Sequence, residues 1–179
     1  MRRKIGIVDY GVGNVSSVAN AIQRIGHRVV IGGKASDFTG TAAIILPGVG
    51  SFPFAMKVVR EGGLDRFLAA CYEQQDIKII GICLGMQLMF EFSEEGAEEG
   101  LGILQGRVNA LPNKQCHVGW NHVHPPSWDN PHGRQEAFYF NHSYYVECDR
   151  ELVRQTADYV LELPAVVRSG QFYGTQFHP

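Results

Sequence analysis

A cysteine flanked by glycines, in Gly81-Ile82-Cys83-Leu84-Gly85, has the type and spacing of a nucleophile. It is the cysteine form of the G-x-S-x-G elbow, in which a sharp strand-to-helix turn exposes the nucleophile and leaves no room for neighbouring side chains. A thiol at a helix N-terminus is also favoured as the reactive thiolate. We predict that Cys83 is a catalytic nucleophile and that the Leu84 N–H faces a developing oxyanion. The alternative is a small buried hydrophobic residue, which is what most free cysteines are.

A cysteine nucleophile needs a base, and seven histidines compete for that role. His178 is the best placed, because the apolar stretch 172–177 reads as a strand that would deliver it to a sheet edge. Other histidines fall at a predicted turn or in and beside a polar loop: His27, His122, His124 and His132. We therefore predict a Cys83–His178 pair.

A second glycine-rich turn, Pro47-Gly48-Val49-Gly50, follows a predicted strand. Its backbone N–H groups, free of bulky side chains, suit the other half of an oxyanion hole. An ordinary tight turn between strand and helix is an equally good interpretation of these residues taken alone.

Two other kinds of site find little support. One cysteine and three histidines lie within 116–124, but their spacing matches no paired C-x2-C or H-x3-5-H arms of a zinc site. Gly11-Val12-Gly13 lacks the third glycine of a dinucleotide fingerprint, and the chain has no P-loop. We expect neither a metal nor a cofactor.

The elements that must position these residues indicate an α/β domain. Continuously apolar runs are typical of parallel strands buried on both faces. Strands are predicted at 5–8, 29–31, 42–46 and 77–82, and helices at 15–25, at 54–75 with a break at 62–63, and at 86–90.

The second half of the chain is predicted to be rich in strands, with little helical periodicity. The strand-like runs are 101–104, 118–123, 138–146, 159–163, 165–168 and 172–177. Residues 113–115 and the Pro- and His-rich stretch 124–133 read as surface loops. With no repeat and no linker, we expect one domain over 1–179.

Composition narrows the class of protein. The 179 residues are 45% hydrophobic and 19% charged, the balance of one soluble globular domain. A net charge of −2 leaves no basic stripe for nucleic acid, and no segment is long enough to span a membrane. The four cysteines show no paired spacing, so we expect reduced thiols in a cytoplasmic protein.

Several motifs, in a fixed order, give the chain a resemblance to the class I (triad) glutamine amidotransferases. Those typical of the class are 47–50, 81–87 and 176–179. Those that make the chain most similar to the glutaminase subunits of imidazole glycerol phosphate synthases are 9–14, 93–96, 117–121 and 141–145. The resemblance spans the whole chain and implies a three-layer, flavodoxin-like α/β fold with a largely parallel central sheet and a β-rich second half.

The resemblance also implies roles. Cys83 would attack the carboxamide of L-glutamine, His178 would shuttle the proton, and the N–H groups of Val49 and Leu84 would hold the oxyanion. Ammonia would leave a γ-glutamyl thioester that water hydrolyses. The substrate-binding positions would be Gly48, Gly50, Gln87, Glu95, Ser143 and Tyr144. For Glu95 the alternative is a solvated residue of an acidic loop.

A partner subunit is implied as well. In the family, ammonia passes through a tunnel into a (β/α)8-barrel cyclase, which forms a heterodimer with the glutaminase in histidine biosynthesis. Asn14, Trp120 and Asn121 match family positions near that interface. An exposed Trp is a plausible interface anchor, and the alternative is that Trp120 packs within a β-hairpin.

The sequence departs from the family pattern at two places. The family has a glutamate two residues after the catalytic histidine and then a C-terminal helix, whereas this sequence stops at Pro179. We expect the natural chain to continue; if the acid were absent, a non-catalytic interaction subunit would be the alternative. Cys116 replaces the family's usual proline and the 124–133 loop is unusual, which leaves room for a paralogue that supplies ammonia for amidino sugars.

Overall fold

The computed structural model describes residues 3–12, 15–126 and 136–179. The elements are β1 (Lys4–Val8), α1 (Val15–Arg24), β2 (Arg28–Gly32), β3 (Ala43–Leu46), α2 (Phe52–Glu61), α3 (Leu64–Gln74), β4 (Lys78–Ile82), α4 (Leu84–Gln87), β5 (Phe92–Ser93), β6 (Glu98–Glu99), β7 (Arg107–Ala110), β8 (His117–Val123), β9 (Glu136–His142), β10 (Tyr144–Glu147), β11 (Val153–Asp158), β12 (Glu162–Ser169) and β13 (Phe172–Thr175). Short 3-10 turns lie at Ala35–Phe38, Glu95–Ala97, Pro112–Lys114 and Arg150–Leu152.

A seven-stranded sheet forms the centre of the molecule, in the order β11-β12-β13-β4-β3-β1-β2. The strands from β13 to β2 are parallel, whereas β12 and β11 continue the sheet antiparallel. Read from β2, the parallel part has the flavodoxin-like order 2-1-3-4-5, with β13 as the fifth strand. The prediction of a largely parallel central sheet is confirmed.

Helices cover both faces of this sheet. Ile44 and Leu46 of β3 pack in the larger apolar core, which contains the buried residues of α2 and α3. Ala43 and Ile45 point to the other face, where they pack with α1. Because successive strand residues point to opposite faces, a strand buried on both sides must be apolar throughout. The helix–sheet–helix arrangement is the predicted three-layer fold.

The β-rich second half adds two smaller sheets. One has four strands in the order β10-β7-β5-β6, and the other is the hairpin β8-β9. Two isolated bridges, His124 with Thr156 and Tyr139 with His178, join the hairpin to the central sheet. The hairpin thereby lies beside the end of the last parallel strand.

The element predictions for the first half are confirmed in type and order. The predicted break at 62–63 separates α2 from α3, and Gly63 has a left-handed φ of 66° where α3 begins. The helix predicted over 86–90 is confirmed in type but not in extent, because α4 begins at Leu84 and ends at Gln87. Residues 88–90 are completely buried, and apolar residues buried on all sides carry no helical periodicity. Within the described helices, none is long and apolar enough to cross a membrane.

In the second half, 101–104 is a loop, and 159–161 is a turn outside any strand, so both strand predictions are wrong there. The run 138–146 is two strands that break at Ser143. Strand β11, at the sheet edge, was not predicted, because Val-Arg-Gln-Thr-Ala-Asp lacks an apolar run.

Candidate active site

Three neighbouring parallel strands place the predicted active-site residues at one edge of the sheet. The strands β3, β4 and β13 are adjacent. Their carboxyl ends lead into Gly48, Cys83 and His178, respectively. In open α/β sheets this edge is where ligands bind. Residues far apart in sequence therefore meet because their strands are parallel and adjacent.

The backbone at Cys83 has the strained geometry of a nucleophile elbow. Its φ of 47° and ψ of −105° lie outside the regions that L-residues favour. The Cys83 N–H donates to the carbonyl of Thr175 at 2.6 Å, and the Cys83 carbonyl accepts from the N–H groups of Met86 and Gln87 at 3.1 and 3.2 Å. Such strain costs roughly 1–3 kcal/mol and persists only where the surroundings hold it.

Glycines around Cys83 allow the backbone segments to pack this closely. A Cβ atom on Gly48 would lie 2.7 Å from the carbonyl oxygen of Ile82 and 2.9 Å from the Cβ of Cys83. A Cβ on Gly85 would collide with the carbonyl of Leu46. The steric reason inferred for the glycines of the elbow motif is thus visible as direct contact between β3 and the first turn of α4.

Cys83 is only 6% exposed. Burial raises its pKa to about 11, although the Leu84 N–H and the Gln176 amide oppose that rise. The Leu84 N–H at the start of α4 lowers the thiol pKa, in the direction expected for a helix N-terminus, but α4 is a single turn and desolvation outweighs this effect. A thiol in this state can act as a nucleophile only after a base has taken its proton.

His178 lies at the same edge and is half-buried. Its backbone N–H donates to the Tyr139 carbonyl at 2.9 Å, which ties the residue to the hairpin. Burial lowers the pKa of its imidazole below the usual 6.5. The ring is therefore neutral at pH 7 and has a lone pair with which to accept a proton.

A cleft of about 290 Å³ brings the predicted residues together. Its lining consists of Gly48, Val49, Gly50, Cys83, Leu84, Gln87, Glu95, Asn141, His142, Ser143, Tyr144 and His178. Every predicted catalytic, oxyanion and substrate-binding residue lies in this lining. Asn141 and His142 are further members to which we assign no role from the sequence, although both belong to the 141–145 motif.

Two buried glutamines connect the cleft wall to the thiol. The Gln87 side-chain amide donates to the Tyr144 carbonyl at 2.9 Å and to Gln176 Oε1 at 3.1 Å. Gln176 Nε2 donates in turn to Cys83 Sγ at 3.4 Å. Gln176 is completely buried, and a polar side chain in an otherwise apolar strand end was the signal that could have found it.

Glu95 is held against the cleft rather than in solvent. Its carboxylate accepts the Phe52 N–H at 3.1 Å, at the N-terminus of α2. Burial raises its pKa above the usual 4.5. The interpretation of Glu95 as a solvated loop residue is therefore disfavoured, because the side chain is half-buried and lines the cleft.

The residues predicted to face a partner lie on the hairpin. Trp120 is 75% exposed and makes an edge contact with Tyr139, with ring centroids 6.0 Å apart. The Asn121 side chain turns inward and donates to the Asp158 carbonyl at 2.8 Å. Asn14 lies outside the described residues. The exposed indole is unlike a residue that serves only to pack a hairpin.

The remaining cysteines and histidines form no second centre in the part of the chain described. All four cysteines are free thiols. Among the described residues, no group of three or more His, Cys, Asp or Glu could hold a metal ion. His117, which we considered as a metal ligand, is instead 3.0 Å from a ring nitrogen of His142.

The chain is similar in sequence to a known protein family and to named relatives. The model of the glutamine amidotransferase class-I family matches residues 6–179. "Imidazole glycerol phosphate synthase subunit HisH" of Geobacillus sp. (strain WCH70) is 43% identical over 189 residues, covering 98% of this chain and 88% of that protein. The protein of the same name from Staphylococcus aureus (strain MRSA252) is 40% identical over 180 residues, covering 98% and 88%.

Solved structures share the fold at lower identity. A glutamine amidotransferase crystal structure has a TM-score of 0.77 at 22% identity and covers 98% of this chain and 89% of that one. The structure of PurLQS from Thermotoga maritima has a TM-score of 0.74 at 18% identity and covers 100% and 88%. At these identities the structures establish the shared architecture.

Proposed function

The chain belongs to the class I glutamine amidotransferases, and from that premise we propose that it is the glutaminase subunit of an imidazole glycerol phosphate synthase. It would act as a single amidotransferase domain over residues 1–179. Relatives that carry this name are 38–43% identical over 98% of the chain. The observation that carries the catalytic assignment is Cys83, held at a positive φ at one end of a cleft that also contains His178.

The first half of the reaction follows from the thiol and the imidazole. Neutral His178 takes the thiol proton of Cys83, and the thiolate sulfur attacks the carboxamide carbon of glutamine. A C–S bond forms while the carbonyl π electrons move to oxygen. The imidazolium of His178 then protonates the departing nitrogen, the C–N bond breaks, and ammonia leaves a γ-glutamyl thioester.

The second half regenerates the enzyme. His178, neutral again, takes a proton from water, and the hydroxide attacks the thioester carbon. The C–S bond breaks, the sulfur recovers a proton from His178, and glutamate leaves. Both halves develop negative charge on the same oxygen, which we assign to the backbone N–H groups of Leu84 and Val49. The Leu84 assignment is supported by its effect on the thiol, since that N–H lowers the pKa of Cys83.

The walls of the cleft suit the charged end of glutamine. Glu95 offers a carboxylate for the α-ammonium group. Ser143 and Tyr144, where β9 meets β10, also line the cleft and would receive the α-carboxylate. Gln87, anchored on the Tyr144 carbonyl, and the glycines Gly48 and Gly50 complete this binding wall.

Ammonia from this site would be used by a partner subunit. The relatives are named as subunits of a synthase, and we propose a (β/α)8-barrel cyclase of histidine biosynthesis as the partner. The exposed Trp120 on the hairpin is a suitable anchor, because aromatic residues dominate interface energetics. Free cysteines suit the reducing cytoplasm, where we expect the heterodimer to act.

The test is to follow glutamate release and product synthesis in the complex with the cyclase subunit, for the wild type and for Cys83→Ser. We expect Cys83→Ser to abolish glutamate release and glutamine-dependent synthesis, because the alcohol is a far weaker nucleophile than the thiolate. Synthesis from added ammonia should stay at the wild-type rate, because the partner's site is untouched. Cys71→Ser, at a buried cysteine of α3 outside the cleft, is the matched control. Unchanged glutamate release in Cys83→Ser would contradict the proposal.

A further inference from the structure

A continuous chain of hydrogen bonds runs from strand β8 to the nucleophile. Asn121 Nδ2 lies 3.0 Å from His117 Nε2, and His117 Nδ1 lies 3.0 Å from His142 Nε2. His142 Nδ1 lies 2.9 Å from the Tyr144 carbonyl. That carbonyl also accepts from Gln87, whose amide leads through Gln176 to the Cys83 sulfur. The His117 and His142 residues face each other directly in the β8-β9 register.

The acceptor at one end of the histidine pair, the Tyr144 carbonyl, and the donor at the other, the Asn121 amide, fix the direction of every bond. A carbonyl oxygen only accepts, so His142 Nδ1 must carry the proton that it donates to Tyr144. Burial lowers the pKa of His142 to about 4, so its Nε2 is an unprotonated acceptor at pH 7. His117 must then donate through Nδ1–H, which leaves His117 Nε2 to accept from the Asn121 amide. The Asn121 orientation agrees, because its Oδ1 accepts the His122 N–H at 2.7 Å.

Packing on both faces fixes the His117 ring in the orientation that its two hydrogen bonds require. The ring stacks on Phe140 at 4.4 Å and on Tyr159 at 4.3 Å between centroids. Only 3% of His117 is exposed. A buried polar ring with both nitrogens paired and both faces covered has one orientation, so it can transmit that orientation to its neighbour.

We propose that His117 is a positioning residue for glutamine, which acts through His142 to fix the Tyr144 carbonyl and the Gln87 amide in the wall of the cleft. The inference rests on the proposed function. Neither His117 nor Asn121 lines the cleft, so their effect must pass through His142. Because Asn121 neighbours Trp120 on β8, the same series of hydrogen bonds joins the proposed partner anchor, Trp120, to the glutamine site.

Two complementary variants separate the hydrogen bonds of His117 from its packing. His117→Phe keeps a ring between Phe140 and Tyr159 but removes the N–H donor. His117→Asn places an amide N–H near the position of Nδ1 but removes the ring. Tyr159→Phe, which loses only a hydroxyl that donates to the Cys116 carbonyl at 3.0 Å, is the matched control.

Glutamine hydrolysis is measured on the full-length protein in complex with the cyclase subunit. We expect His117→Phe to raise KM for glutamine about tenfold with a smaller change in kcat, as for loss of one buried hydrogen bond. His117→Asn should stay within about threefold of the wild type, because it retains the donor. If His117→Phe stayed near the wild type while His117→Asn was impaired, packing alone would matter and the proposal would be overturned.

Nitrogen-15 NMR of the imidazole rings tests the proposed hydrogen-bond directions without any substitution that could unfold the protein. Both His117 and His142 are expected as the Nδ1–H tautomer at pH 7, each with an unprotonated, hydrogen-bonded Nε2. An Nε2–H tautomer at either ring would overturn the assignment. A wild type with the expected tautomers and no hydrolysis of glutamine would instead refute the proposed function and leave the hydrogen-bond chain standing.

Discussion

At the scale of single residues, the resting thiol of Cys83 is protonated. Burial raises its pKa to about 11, so at pH 7 the thiolate is a minor species in the absence of substrate. Such a thiol reacts slowly by itself, and we propose that it becomes an effective nucleophile when glutamine occupies the cleft and His178 takes the proton. Low reactivity between turnovers protects a nucleophile from oxidation, which follows thiolate character.

Gln176 controls how readily Cys83 ionises. Its amide N–H lowers the thiol pKa, so Gln176→Leu should raise that pKa and slow alkylation of Cys83 by iodoacetamide severalfold at pH 8. The measurement is the rate of Cys83 labelling against pH, followed by mass spectrometry of the Cys83 peptide. Exposed Cys116 is an internal control and should label at the same rate in both proteins. Faster labelling of Cys83 in the variant would contradict the role of Gln176.

At the scale of elements, the close approach of β3 to the first turn of α4 builds the elbow. Gly85→Ala should destabilise the fold by about 1–3 kcal/mol, because a Cβ there meets the Leu46 carbonyl, a backbone atom that cannot move aside. Urea unfolding gives the change in free energy. Gly33→Ala is the matched control, since its added Cβ would lie 3.4 Å from the Asp9 carbonyl. Equal stability of the two variants would contradict the steric account of the elbow.

The features best predicted from the sequence are those encoded by residues that are contiguous in the chain. The elbow at 81–85 and the turn at 47–50 are contiguous motifs next to apolar strands, and both were found from residue types alone. Ser143 and Tyr144, which also line the cleft, were reached only through the family resemblance. The His117–His142 pair depends on the register of β8 with β9, which no local pattern encodes. The edge strand β11 was missed because a strand exposed on one face need not be apolar.

At the scale of the whole molecule, buried neutral histidines make stability depend on pH. The folded pKa of His142 falls from 6.5 to about 4, so its contribution is fully present above pH 6.5 and is lost as the pH falls towards 4. The loss amounts to about 3 kcal/mol at 1.36 kcal/mol per pKa unit. Burial lowers the pKa values of His117 and His178 as well, and these shifts act in the same direction.

Urea unfolding between pH 7.5 and pH 4.5 measures this dependence. The free energy of unfolding of the wild type should fall steadily below pH 6.5. In His142→Asn it should fall less steeply with pH, because this variant lacks the histidine whose pKa is lowered to about 4. A steeper fall in His142→Asn than in the wild type would contradict the assignment of His142 as a buried neutral ring.

Of the four free cysteines, we propose that Cys83 is the nucleophile of a glutaminase. The most direct test is to incubate the complex with a glutamine analogue that carries a diazoketone in place of the carboxamide, and to locate the adduct by peptide mass spectrometry. We expect one adduct, on Cys83, whose formation is slowed by glutamine and absent in Cys83→Ser. An adduct on Cys116 instead, or labelling of Cys83 that glutamine does not slow, would contradict this assignment of the nucleophile.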